Sequence, residues 1–89
     1  MKIGQMILLP DGHLVWRVSD AADRDGHKLY CLGFCHKDRQ ECGAAVLGYG
    51  LTLEEALANA RIALATRYET LAAMDAAGLP VVDLTGRKV

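Results

Sequence analysis

The chain lacks most of the features that announce a chemistry. Its single serine, Ser19, sits in no nucleophile elbow, so a serine hydrolase has no starting point. No apolar run approaches the ~20 residues that span a bilayer. Residues 1–16 hold one lysine and a short apolar stretch. Pro10-Asp11-Gly12 interrupts that stretch and no small-residue cleavage site follows, so it does not read as a leader. Charge of one sign is missing too: ten basic and eleven acidic side chains intersperse to a formal −1. Binding to a phosphate backbone needs a clustered basic field, and Arg87-Lys88 is the one basic pair, so no direct nucleic-acid contact is expected. Three cysteines form an odd set, which suits a reduced cytoplasmic protein better than a disulfide scaffold.

What is present is a globular composition, 52% hydrophobic and 24% charged over 89 residues. That length makes one domain, 1–89, with a core of modest size. Residues 3–9 and 13–18 flank Leu9-Pro10-Asp11-Gly12, a turn in which proline presets one dihedral and glycine accepts a positive one, so a β-hairpin is expected. Residues 19–28 are polar, carry the Asp25-Gly26 turn signal, and read as a loop. Leu29 to His36 and Cys42 to Tyr49 read as a second hairpin around the charged turn 37–40.

The period then changes. Leu53, Leu57, Ala60, Leu64, Tyr68 and Leu71 recur at spacings of three and four, one stripe of a helix from Leu53 to Ala77. Thr52 and Glu55 form a capping box at its start, and Gly78 and Pro80 end it. Val81 to Leu84 are placed to return as a strand. The expected architecture is α+β: an antiparallel sheet of four to five strands, ordered β-β-β-β-α-β, with one long helix packed on one face.

All three cysteines and His36 fall within residues 30–43, which raises a metal or thiol site using Cys31, Cys35 and Cys42 as an alternative. Strand geometry argues against it. Cys31 and Cys35 share a face about 13 Å apart, and His36 leaves from the other face. A four-residue turn sets Cys35 opposite Cys42, within reach of a disulfide after a small adjustment. "GYGLTLEE" lacks a phosphate-loop lysine. The acids Asp20, Asp23 and Asp25 miss the carboxylates a calcium loop requires at its first and twelfth positions. No catalytic residue, metal or cofactor is therefore assigned.

Neither face of the second hairpin is polar. Tyr30, Leu32 and Phe34, with Ala45, Leu47 and Tyr49, make a bulky face that is expected to lie under the helix. Cys31, Gly33, Ala44 and Val46 belong to a small-residue face that one helix cannot also cover. Around the helix, Ala58, Ile62, Ala65, Ala72 and Ala76 make a second weakly apolar row. Together these imply a covered surface, as a homodimer or a docking site.

The stretch from Gly50, with Thr52, Glu54, Glu55, Ala56, Asn59, Ala60, Ala63 and Leu64, and then Gly78 and Pro80, resembles the helix segment of HicB-type antitoxin domains. It spans about a third of the chain. The sequence departs from that family at residues 40–43, where a Pro-Asp-Leu-Pro-Gly stretch is usual, and it has no room for an appended DNA-binding module. The resemblance implies a small sheet-plus-helix domain that neutralises an RNase toxin by covering its active site. Small phage inhibitors of anti-CRISPR type share the size and the lack of chemistry, and they block nucleoprotein complexes in a similar way. The function expected is thus a non-catalytic protein-binding inhibitor. Its candidate contacts are Asp20, Asp23, Asp25, Cys31, Gly33, Ala44, Val46 and Ile62, the three acids either imitating phosphates or forming an ordinary solvated loop.

Overall fold

The computed structural model describes residues 1–39 and 44–78. Four strands, β1 (Met6–Leu8), β2 (His13–Ala22), β3 (Lys28–His36) and β4 (Val46–Gly50), precede one helix, α1 (Leu53–Ala76). The strands form one antiparallel sheet in the order β1-β2-β3-β4, and α1 packs on one side of it, over β3 and β4. This is the α+β architecture the pattern implies. The strand expected at Val81 to Leu84 lies outside the described residues.

The first turn forms as its composition predicts: Gly12 adopts φ 88° and donates its N–H to the Leu9 carbonyl at 3.0 Å. Beyond it, β2 runs longer than its apolar pattern. Ser19 to Ala22, expected in a loop, continue as strand and pair with Cys31, Tyr30, Leu29 and Lys28. The register shifts between Arg17 and Ser19, leaving Val18 as an extra residue. A bulge of this kind resets which face each side chain takes, so alternation read along the sequence breaks there.

The second correction concerns β4. Phe34 pairs with Val46, Leu32 with Gly48 and Tyr30 with Gly50. The four-residue turn expected from the sequence would have put Leu32 opposite Ala45 instead. The difference is an odd number of residues, and an odd slip turns every side chain of a strand to the other face. Tyr30, Leu32 and Phe34 do lie under the helix, as expected, but Val46, Gly48 and Gly50 lie there with them. Leu47 and Tyr49 point away. The pairing expected between Cys35 and Cys42 involves a residue outside the described ones.

Glycine makes this register possible. A β-carbon on Gly48 would run into the Ala56 carbonyl and the Ala60 side chain, and one on Gly50 into the backbone at Glu55 and Ala56. Two glycines on the strand facing two alanines on the helix therefore bring the elements into close contact. Around that seam Val15, Leu32, Phe34, Ala44, Ala56, Ala60 and Leu64 form the buried core. Each fully buried large side chain there contributes about 1.5–3 kcal/mol.

The helix begins where the capping residues place it. Thr52 is extended, and its Oγ1 accepts a bond from the Glu55 N–H at 3.1 Å. Gly78, at φ 71°, ends it and donates to the Asp75 carbonyl. Asn59 donates to the Tyr49 carbonyl at 2.7 Å, occupying one acceptor on the edge strand β4.

Candidate functional site

The side of the sheet away from α1 is the most unusual surface among the described residues. β1 contributes Met6 and Leu8, β2 contributes Leu14 and Trp16, β3 contributes Cys31, Gly33 and Cys35, and β4 contributes Leu47 and Tyr49. These residues pair directly across the strands: Leu8 with Leu14, Leu14 with Cys35, Met6 with Trp16, Trp16 with Gly33, Gly33 with Leu47 and Cys31 with Tyr49. Not one is an acid, a lysine, an arginine or a histidine.

Burial across this face is uneven. Cys31 and Cys35 on β3 are only 3% and 2% exposed although α1 lies on the other side of the sheet. The Trp16 indole supplies part of the cover, because it occupies the space that a side chain at position 33 would need. The outer strands remain open: Met6 is 60% exposed, Leu8 56%, Leu47 48% and Tyr49 45%. A solvated sheet face ordinarily alternates apolar-in with polar-out, and this one does not.

The Cys35 thiol beneath is poorly suited to nucleophilic chemistry. Burial pushes the Cys35 thiol up, which disfavours the thiolate a nucleophile needs. The Tyr49 hydroxyl is also raised, chiefly by its hydrogen bond with Cys31. His36 leaves from the helix side, where its ring meets His13 edge-on at 5.1 Å. It is thus separated from Cys35 by the sheet itself, and the expected division of the ligands by face holds for these two residues.

The remaining candidate contacts scatter. Ala44 is fully buried in the helix-side core and Val46 packs against it, so neither shares a face with Cys31 and Gly33. Ile62 is 65% exposed on the helix. Asp20 pairs with Arg17 at 2.6 Å and Lys28 at 3.1 Å, and these bonds, Arg17 first, hold its carboxyl below the usual range. Asp23 shapes the tip of the β2–β3 hairpin: its Oδ1 accepts from the N–H groups of Asp25 and His27, and its Oδ2 lies 3.1 Å from His27 Nδ1. Asp23, Asp25 and His27 converge within 4.8 Å, with Asp23 already engaged in holding the turn.

Sequence reasoning missed a polar cluster at the other end of the sheet. Asp11 Oδ1 accepts the His13 N–H and lies 3.0 Å from His13 Nδ1, while Oδ2 accepts from Arg61 on the helix at 3.0 Å. The backbone bond from His13, its imidazole and Arg61 hold the Asp11 carboxyl far below the ordinary carboxylate range. His13 in turn stacks on Phe34 at 4.7 Å between ring centroids. Asp11 is legible in sequence as a turn residue, but its partner Arg61 lies fifty positions away and no local signal links them.

Among known proteins, the chain matches no family model, no curated protein and no solved structure. No helix among the described residues is long and apolar enough to cross a membrane.

Proposed function

We propose that this protein is a non-catalytic, protein-binding inhibitor that acts by stoichiometric occlusion of a partner's active or nucleic-acid-binding site. The observation that supports the reading is the uncharged outer sheet face, on which four large side chains from two edge strands are about half exposed. Exposed apolar surface of that kind carries a standing cost in water, and association with another protein relieves it. Its lack of basic groups disfavours nucleic acid as the occupant. The helix segment resembling HicB-type antitoxins favours a toxin RNase as the inhibited partner, and a nucleoprotein complex is the other class of partner the size suits.

The test is a titration. A partner recovered with the tagged chain from its native host is assayed at increasing ratios of chain to partner. Occlusion predicts inhibition that is complete at a fixed molar ratio, with the chain recovered chemically unchanged. A partner that keeps full activity when saturated with the chain would exclude the inhibitor reading. So would stoichiometric zinc that a Cys31→Ser, Cys35→Ser, Cys42→Ser variant loses together with its activity.

A further inference from the structure

We propose that the outer sheet face is the seat of a second copy of this chain, and that the protein works as a symmetric, face-to-face sheet dimer. The proposal rests on the reading of this face as protein-binding, assigns the face to a second copy in place of the inhibited partner, and leaves the helix side for that partner. Three observations bear on it: composition favours a second copy over an unrelated protein, and size and shape permit one.

The first is composition. Interfaces between separately stable partners are about as polar as ordinary surface, whereas homodimer interfaces are more apolar. Met6, Leu8, Leu14, Trp16, Leu47 and Tyr49 present no charge to steer or select a different partner, and a two-fold axis brings no like charges together.

The second is size. Four side chains about half exposed, with Leu14 and Trp16 partly so, amount to a patch on the order of 500 Å², so two copies bury about 1,000 Å² in total, the lower bound of a specific interface.

The third is shape. With Trp16 laid over Gly33, and Cys31 and Cys35 buried, this part of β3 carries no protruding side chain, and the face is the extended apolar kind that stacks on another sheet about 10 Å away. Such a dimer completes the layer that α1 supplies on the opposite side. It also leaves the helix, with Ile62 exposed, turned outward to meet an inhibited partner.

Trp16, the sole tryptophan, reports on this face directly. Sedimentation and Trp16 emission are followed against concentration for the wild-type chain, Leu47→Glu, Met6→Glu and the helix control Ile62→Glu. Folding of each variant is checked by circular dichroism. The wild type and Ile62→Glu are expected at twice the 9.6 kDa chain mass, with emission shifting to the blue as they associate. Both face variants are expected to weaken association at least tenfold. A wild type that stays monomeric to about 1 mM overturns the dimer, as does a dimer that either folded face variant leaves intact. If a monomeric chain still inhibits its partner, and Leu47→Glu abolishes that inhibition, the face belongs to the partner. The dimer then fails while the inhibitor reading stands. A dimer that inhibits nothing has the opposite consequence.

Discussion

The two sides of the sheet are built from the same strands and differ in how they are closed. On the helix side, Leu32 and Phe34 are sealed by a second layer, and Gly48 and Gly50 let that layer approach. On the outer side, Cys31 and Cys35 are equally buried, yet their cover comes from within the sheet, from Trp16 and the cross-strand neighbours Leu14 and Tyr49. Low exposure alone therefore does not identify a core. A small side chain beside large ones is hidden whether or not a layer lies above it. The exposure of its neighbours tells the two situations apart.

The two largest expected effects test the helix side. Gly48→Val places a branched side chain where Ala56 and Ala60 already sit, and should cost about 3 kcal/mol or more, seen as loss of cooperative urea unfolding by circular dichroism. A fully folded Gly48→Val protein would show that helix and strand are not in close contact. Next, Phe34→Ala should lower unfolding free energy by about 3–5 kcal/mol, because Phe34 is 1% exposed at the centre of the core. Trp16→Ala on the outer side, compared in the Leu47→Glu background that keeps the chain monomeric, should cost about half as much, since the indole is only partly buried there. Equal costs would mean that the two sides are closed to the same degree.

Smaller effects sit at the edges of the comparison. Thr52→Ala removes the bond to the Glu55 N–H and should cost about 1 kcal/mol in the same unfolding measurement. At the Asp11 cluster the expectation is a pH dependence. The folded-state pKa is depressed, so the stabilisation is fully present above the unfolded value of about 3.9. It is lost as pH falls below that value toward the folded one. Asp11→Asn should therefore flatten part of the acid limb of a thermal-stability profile and leave the region above pH 5 with a parallel slope. An unchanged acid limb would place the effect elsewhere, for example at Asp20, whose carboxyl is lowered by Arg17 and Lys28.

Much of the architecture was legible from local signals. The helix ends at the residues its caps specify, because Thr52 and Gly78 act through bonds no more than a few positions long. The bulky stripe of β3 is legible from alternation, which needs no partner to be read, and it lies under the helix as a small domain's need for its aromatics in the core implies. The outer face was harder. Its members come from four strands, and which of two apolar sets on β4 joined it depended on a register that the 37–40 turn did not predict. Val18 misled in a similar way, because a bulge leaves no mark in an otherwise regular pattern.

By itself, then, the sequence determined that four strands precede one helix among the described residues, and where that helix starts and stops, which follows from neighbouring residues competing for backbone conformations. Only the tertiary structure decided that Ala44 and Val46 belong to the core and that Leu47 and Tyr49 face outward. The reason is steric. Gly48 and Gly50 are the residues of β4 that α1 can approach most closely, and seating the helix on them turns Leu47 and Tyr49 to the other side, where they meet solvent on the same face as Met6 and Leu8 at the opposite edge of the sheet.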